Sequence, residues 1–232
     1  MTMFKCKGVG GSPTPSYNYE LYNYIYTENS GESFNTGITY NVTNPVIGNI
    51  ELKFQSMLTS SERPSSGWVG IFGAVDTSNK SRLGIGFTNT YYYMYYHSGT
   101  SYTESILKAV DNEEHIIKLV SQRYSGQNIT YYTPYMDSKS GLVGSIPKDI
   151  GYPFLINAFN NTGTPTTSGS IKQKLFYLKI YSISDSTKLL YNFTPAKQLS
   201  TSEIGLYDTV NKVFYPSMGD GNFITGDPIG YA

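Results

Sequence analysis

The sequence predicts an all-β fold, arranged as a two-sheet antiparallel β-sandwich, from two observations. Short apolar–polar alternations recur along the 232 residues, separated by turn residues such as Asn44–Pro45 and Gly163–Pro165. Regular short strands with such spacers are typical of sandwiches and barrels. The chain also has 23 tyrosines and 11 phenylalanines, which favour strand faces. A helical feature is predicted only as a turn near Ser200–Glu203.

The charge balance and the terminal sequence exclude several classes of function. The 17 basic and 17 acidic residues cancel, which removes the electrostatic basis for binding nucleic acid or an anionic membrane. No run of 18 apolar residues occurs, so we expect no membrane insertion, and the N-terminus lacks the apolar core of a signal peptide. The single cysteine, Cys6, is interpreted as an incidental free thiol.

The chain is predicted to divide into an arm and one domain. Residues 1–18 are rich in glycine and contain Pro13 and Pro15, a composition typical of linkers. Two interpretations stay open: a frayed terminus, or a peg that attaches the protein to another subunit or particle through Phe4 and the two prolines. The strand signal begins after this arm, so residues 19–232 are predicted to form a single sandwich domain.

The upstream strands follow from period-two patterns. Ile50–Phe54 alternates and places its apolar side chains on one face. Trp68–Gly73 is a continuous apolar run, which suits a strand buried on both faces, and Trp68 is assigned to the core rather than to a ligand. Leu83–Phe87 has apolar residues on one side and glycines on the other, where another backbone or ring can lie close.

The downstream strands follow the same logic. His115–Ser121 and Ile129–Tyr135 are predicted to be hairpin partners, and Tyr152–Ala158 is predicted as a further strand. Leu175–Tyr181 is predicted to have an inward face of Phe176, Leu178 and Ile180 and an outward face of Tyr177, Lys179 and Tyr181.

The closing segment limits the architecture most. It reads as a short strand at Leu189–Ala196 ended by proline, a turn at Gly205–Asp208, an aromatic strand at Lys212–Tyr215 and a glycine–aspartate turn before Phe223. With upstream segments, this order resembles the concanavalin A-like lectin/glucanase superfamily, and more narrowly the laminin-G-like domains of phage and gut-bacterial surface proteins. The matching upstream segments are Tyr24–Thr27, Phe34–Ile38, Ile50–Phe54, Ile71–Ala74, His115–Ser121 and Leu178–Tyr181.

This resemblance covers roughly residues 19–226 and implies a jelly roll whose concave face binds glycans in many relatives. A jelly roll with a short Gly/Pro arm and no signal peptide is similar to phage head fibres, tail-fibre tips and decoration proteins. We therefore expect a virion location, with synthesis in the host cytoplasm and attachment to other virion proteins through the arm. Fibre tips are usually trimeric, so a homotrimer is the expected assembly.

Catalytic and metal-binding patterns are sparse. Glucanase relatives use paired carboxylates at alternate strand positions, and no such triplet occurs here, so a non-enzymatic protein is predicted. The acidic cluster Asp111–Glu114 is interpreted as a solvated turn, and His97 and His115 are isolated in sequence. No cofactor is predicted. Calcium at the loop residues Asp208, Asp220 and Asp227 is the weaker alternative to a turn-capping role for Asp208.

Aromatic residues are the best binding candidates. Tyr91–Tyr96 alternates two faces, one of which must point away from the core. Sugar rings stack on tyrosine, so these rings are either packing groups or a glycan platform. The candidate glycan-binding residues are Tyr91, Tyr92, Tyr93, Tyr95, Tyr96 and Tyr102.

Three functions remain open from the sequence. The preferred one is a virion adhesion protein with a lectin-like domain that binds host-surface glycans. The second is a purely architectural virion protein that binds only other virion subunits. The third is a polysaccharide-degrading enzyme, for which the sequence offers no carboxylate pair.

Overall fold

The computed structural model describes residues 17–27, 32–45, 47–63, 69–78, 80–98, 101–166, 172–219 and 223–232. The predicted attachment residues Phe4, Pro13 and Pro15, and also Trp68, lie outside the described residues. Residues 17 and 18 of the predicted arm are described, and the Asn18 amide donates to the Ala232 carbonyl at 3.0 Å. In the described ranges, no helix has the length and hydropathy to cross a bilayer.

The described residues form twenty-one strands. They are β1 (Tyr19–Tyr22), β2 (Ile25–Thr27), β3 (Phe34–Asn35), β4 (Ile47–Ser56), β5 (Val69–Asp76), β6 (Ser81–Phe87), β7 (Tyr91–Ser98), β8 (Ser101–Ala109), β9 (Glu114–Arg123), β10 (Thr130–Met136), β11 (Lys139–Ser140), β12 (Gly144–Ile146), β13 (Leu155–Ile156), β14 (Phe159–Asn161), β15 (Thr164–Thr166), β16 (Gln173–Ser182), β17 (Leu189–Gln198), β18 (Ile204–Asp208), β19 (Val213–Pro216), β20 (Phe223–Thr225) and β21 (Pro228–Tyr231).

The larger layer is an antiparallel sheet in the order β10-β9-β4-β16-β17-β18-β19. Two short ribbons complete its edge: β1 pairs with the end of β17 and with β21, and β2 pairs with the start of β16 and with β20. The predicted hairpin of His115–Ser121 with Ile129–Tyr135 is confirmed as β9 and β10.

The smaller layer runs β8-β7-β6-β5, followed by β13 and β3. Its pairs are antiparallel except that β14 runs parallel to β5. β12 pairs with β10 and also meets β7 at Ser145 and His97, so it joins the two layers along one side. The predicted two-sheet antiparallel sandwich is therefore confirmed.

The core lies between the two layers. Ile50, Leu52 and Phe54 of β4 are buried on one face, as predicted from their alternation. The Phe54 ring meets the Tyr92 ring of the smaller layer edge-on, with centroids 5.4 Å apart. Every residue of β5 is buried, which confirms the strand predicted to be covered on both faces.

An aromatic ring packs closely against the glycines of β6, as predicted. Phe159 lies over the outer side of β5 and β6, and a Cβ atom on Gly84 would overlap its ring. Glycine is required here because the approach is too close for a side chain. Because the segment with Phe159 covers their outer side, β5 and β6 are buried on both faces.

The prediction for Phe176 is wrong. The pairing of β16 with β4 shifts register between Leu175 and Tyr177, and this bulge turns Phe176 outward. Leu178 and Ile180 are buried as predicted, because the alternation resumes after the bulge.

The closing segment differs from the predicted turns at three places. β17 continues through Pro195 instead of ending there. Pro195 lies where the partner of β17 changes from β16 to β1. Its missing amide donor therefore removes little of the hydrogen bonding between strands. Gly205–Asp208 belongs to β18 rather than to a turn. Residues 199–201 form a non-helical turn between β17 and β18, not the helical turn predicted near Ser200–Glu203.

Candidate functional site

The structure removes three rings from the predicted tyrosine platform. Tyr92 and Tyr96 point into the core between the layers and are 0% and 3% exposed. The Tyr92 hydroxyl donates to the Asp111 carbonyl at 2.9 Å. Tyr95 lies on the opposite face but is 1% exposed, because Phe159 packs edge-on against it with centroids 5.9 Å apart. A buried ring cannot stack on a sugar.

The remaining platform residues are Tyr91, Tyr93 and Tyr102. Tyr91 is 37% exposed and Tyr93 is half-buried, and their rings meet edge-on at 6.2 Å. Tyr102 lies on β8 opposite His97, and its side chain is outside the described residues. This surface therefore offers two described rings.

The predicted solvated turn at Asp111–Glu114 contains an ionic cluster. His115 is 1% exposed and lies between two carboxylates: Nε2 is 2.5 Å from Asp111 Oδ1, and Nδ1 is 2.6 Å from Asp137 Oδ2. Lys108 Nζ lies 3.0 Å from Asp111. Burial raises the pKa of Asp111, but the hydrogen bonds from His115 and Lys108 outweigh it, and the pKa is lowered overall. His115, isolated in sequence, is thus held by Asp111 from the loop before β9 and by Asp137 from the turn after β10.

The outer face of the larger layer carries a continuous row of polar and aromatic side chains. Direct cross-strand pairing places five residues side by side over β10, β9, β4, β16 and β17: Tyr135, Lys118, Glu51, Lys179 and Asn192. Tyr177 and Lys53 form a pair in the neighbouring row. We call Tyr135, Lys118, Glu51, Lys179, Tyr177 and Lys53 the lysine–tyrosine face.

Glu51 is the electrostatic centre of this face. Its carboxylate accepts a hydrogen bond from the Tyr177 hydroxyl at 2.8 Å and lies 3.1 Å from Lys118 Nζ and 3.7 Å from Lys179 Nζ. Burial raises the pKa of Glu51, but Tyr177 and the lysines outweigh it, so the pKa is lowered overall. Burial and the bond to Glu51 raise the pKa of Tyr177. The face therefore presents a fixed carboxylate, a phenol and ammonium donors.

Two clefts flank this centre. The first, of about 460 Å³, is lined by Ile116, Lys118, Val120, Tyr135, Asp137 and Ser138. The second, of about 500 Å³, includes Lys53, Phe176, Tyr177, Lys179, Asn192 and Thr194. Lys53 lies 4.4 Å from the centroid of the Phe176 ring and Lys179 lies 4.4 Å from that of Tyr177, so the lysines extend along the rings.

The predicted calcium ligands are Asp208, Asp220 and Asp227. Asp208 accepts from the Val210 amide at 3.0 Å and from the Asn211 side-chain amide at 2.5 Å, which confirms its turn-capping role. Asp227 is exposed, and Asp220 lies outside the described residues. Across the described ranges, no cluster of three histidine, cysteine or carboxylate groups is arranged to hold a metal ion.

The lysine–tyrosine face as a unit is not recognisable in the sequence. The alternation did place Tyr177 and Lys179 outward, and the residues between the core positions of β4 are Glu51 and Lys53. The missing signal was strand order, because residues distant in sequence become neighbours only through pairing register.

Comparison with known proteins adds little to this description. No family model matches the chain, and no curated protein matches its sequence at a significant level. Among solved structures, the fold is similar to the mouse laminin alpha1 chain, domains LG4-5, with a TM-score of 0.42 and 12% sequence identity. The similarity covers 75% of this chain and 44% of the laminin chain, so this chain spans less than half of that length. At this level the likeness indicates no ligand, and the sandwich is defined by the strand pairings above.

Proposed function

We propose that this protein is a non-enzymatic binding module that recognises surface glycans on the lysine–tyrosine face. The observation that carries the proposal is the cross-strand row in which Tyr135, Lys118, Glu51 and Lys179 lie side by side between two clefts. Tyrosine rings offer apolar faces for sugar C–H groups, and fixed polar groups beside them orient the hydroxyls.

The charges of this face suit hydroxyl recognition. The Glu51 carboxylate can accept from a sugar hydroxyl, while the ammonium groups of Lys118 and Lys179 can donate to one. Because the pKa of Glu51 is lowered, the acceptor stays ionised at neutral pH. The ion pairs hold the side chains in place before a ligand arrives, which reduces the entropy lost on binding.

The charge states of the carboxylates on and beside this face support a role other than hydrolysis. Glycoside hydrolysis uses a pair of carboxyl groups, one of which has a raised pKa and acts as the general acid. Glu114 is instead paired with Lys53 at 2.7 Å, and the pKa of Glu51 is lowered.

The test is a glycan array followed by titration of the best ligand. We expect Tyr135→Ala and Lys118→Gln each to weaken binding about tenfold, since each removes roughly 1.4 kcal/mol of contact. Tyr91→Ala is the matched control, because that ring lies on the outer side of the other layer. Loss of binding only in Tyr91→Ala would move the site to that surface, and equal affinity in all three variants would refute the proposal.

The proposal includes a place in a phage particle, with residues 1–18 as the attachment arm and a homotrimer as the assembly. Removing residues 1–18 is expected to abolish incorporation into particles while the separated domain still binds glycans. If the shortened protein binds no glycan and the intact one also fails on the array, the protein is architectural and binds only other virion subunits.

A further inference from the structure

A polar cleft lies at one end of the larger layer, away from the lysine–tyrosine face. Three connections meet there: the segment before β4, the β9–β10 turn and the β16–β17 turn. The cleft has a volume of about 420 Å³, and its lining includes Thr43, Asn44, Arg123, Ser182, Ser184 and Lys188. It therefore combines two cations with hydroxyl and amide groups.

Arg123 is held in a fixed orientation at the edge of this cleft. Its Nε donates to the Gln127 carbonyl at 3.1 Å, and its Nη2 donates to Asn128 Oδ1 at 2.9 Å and to the Thr43 carbonyl at 3.5 Å. Nη1 makes no hydrogen bond to any described residue. Because all of these acceptors are neutral, they do not offset the charge of the guanidinium, and its two Nη1 hydrogens can donate to a ligand.

The positive charge of the cleft is not cancelled by ion pairing. Within the described part of the chain, neither Arg123 nor Lys188 forms an ion pair with a carboxylate. Asp185 lies in the same turn as Lys188, and its carboxylate accepts from the amide and hydroxyl of Thr187 at 2.9 and 2.7 Å. These bonds, with a smaller contribution from the Lys188 charge, lower the pKa of Asp185, so Asp185 offsets part of the Lys188 charge without forming an ion pair. The cleft therefore presents two cations whose charge an incoming anion can neutralise.

Hydroxyl groups complete the lining. Ser182 Oγ and Ser184 Oγ lie 2.9 Å apart, and the Ser184 amide donates to Ser182 Oγ at 3.2 Å. Serine hydroxyls rotate and can donate to an oxyanion beside a guanidinium. Tyr124, which is 48% exposed, borders a separate cleft at the β9–β10 turn that Arg123 also lines, and it offers a ring next to the charge.

We propose that this cleft binds a small oxyanion group, a carboxylate, sulfate or phosphate, either as a free ion or as a substituent of a larger ligand. Arg123 and Lys188 supply the charge, and Ser182 and Ser184 supply hydroxyl donors. This site goes beyond the proposed function, because it lies at the strand ends and uses none of the lysine–tyrosine residues.

The test is nuclear magnetic resonance of the arginine side chains in the intact protein. The sequence contains only three arginines, Arg63, Arg82 and Arg123, so the Nε–H signal of Arg123 can be assigned by substitution. Sodium sulfate, sodium phosphate, glucuronate and neutral glucose are added separately at constant ionic strength. We expect a saturable shift of the Arg123 signal with the anions and none with glucose.

Variants separate this site from general charge effects. Lys188→Gln is expected to weaken the anion titration about tenfold, since a charge-assisted hydrogen bond is lost. Lys139→Gln removes the same charge at the opposite end of the layer and is expected to leave the anion titration unchanged. Saturation by glucuronate alone would identify a sugar-borne anion as the ligand. A linear shift, or equal titrations in the Lys188 and Lys139 variants, would overturn the proposal.

Discussion

His115 shows how a buried polar residue is satisfied in this fold. Both ring nitrogens lie within hydrogen-bonding distance of a carboxylate, Nε2 of Asp111 and Nδ1 of Asp137. The residues come from the loop before β9, from β9 itself and from the turn after β10. Only Asp111, four residues before His115, could be recognised from sequence, because the position of Asp137 depends on pairing of β9 with β10.

At this residue scale we predict the effect of replacing the histidine. His115→Leu removes the imidazole that bridges Asp111 and Asp137, leaves Lys108 as their shared partner, and is expected to destabilise the protein by about 2 kcal/mol. The measurement is urea unfolding near neutral pH, with Gln122→Leu on the exposed side of the same strand as the control. A change below about 0.5 kcal/mol, the usual range of surface substitutions, would show that the cluster contributes nothing.

The tyrosines of β7 show a limit of the sequence at the same scale. Alternation correctly separates Tyr92 and Tyr96 from Tyr91, Tyr93 and Tyr95, since successive side chains point to opposite faces. It does not reveal that a distant segment covers part of the outer face. Phe159 buries Tyr95 but leaves Tyr91 exposed, so Tyr95 is not available to bind a sugar.

Among the elements, β5 and β6 depend on the ring that lies over them. Gly84→Ala would place a methyl group inside the Phe159 ring and is expected to destabilise the protein by about 2 kcal/mol, as overpacking does. Gly151→Ala is the control, because its new Cβ would meet Asp76 at an ordinary 3.5 Å. Thermal unfolding of both variants checks this, and equal midpoints would contradict the close packing of Phe159 on β6.

The elements also show what local patterns determine. Apolar alternation correctly predicted the existence and facing of Ile50–Phe54 in β4, because this segment pairs with β9 in unbroken register. It failed at Phe176, where a bulge adds one residue to β16, and at Pro195, where β17 changes neighbours. Both features are set by the partner strand rather than by the segment itself.

For the whole molecule, buried tyrosines predict sensitivity to alkali. Burial raises the pKa of ten tyrosines above the ordinary value of 10.0, to about 12 for Tyr22. Below pH 10 these tyrosines are neutral in both the folded and the unfolded state, so stability does not change with pH through their ionisation. Above it the unfolded chain ionises first, and stability falls as pH rises toward the folded values. The ten are Tyr22, Tyr40, Tyr92, Tyr95, Tyr96, Tyr132, Tyr177, Tyr181, Tyr207 and Tyr215.

Spectrophotometric titration of tyrosinate, combined with circular dichroism, measures this effect. We expect these ten tyrosines to ionise at higher pH than in the unfolded chain, together with loss of β structure. The chain in concentrated urea, titrating in one step, is the reference. A single step near pH 10 with the sheet intact would contradict the burial of these rings.

The overall architecture was accessible from the sequence and the lysine–tyrosine face was not. Period-two segments and turn residues are local signals, and together they specify two antiparallel layers. The face arises from long-range order: Tyr135, Lys118, Glu51 and Lys179 belong to four strands that meet only after folding. Sequence alone indicates which side chains point outward, and register decides which of them become neighbours.

The meeting of β1 and β21 has a mechanical consequence. Ala232 exchanges backbone hydrogen bonds with Tyr19, so the two ends of the described sandwich leave from adjacent points on antiparallel strands. Tension applied between these ends would load the bonds one after another and unzip the ribbon at low force. Tension between the N-terminal end and a ligand held on the broad sheet would instead pull along β1 and load its bonds with β17 together. The force needed to separate these strands thus depends on the two points between which tension is applied.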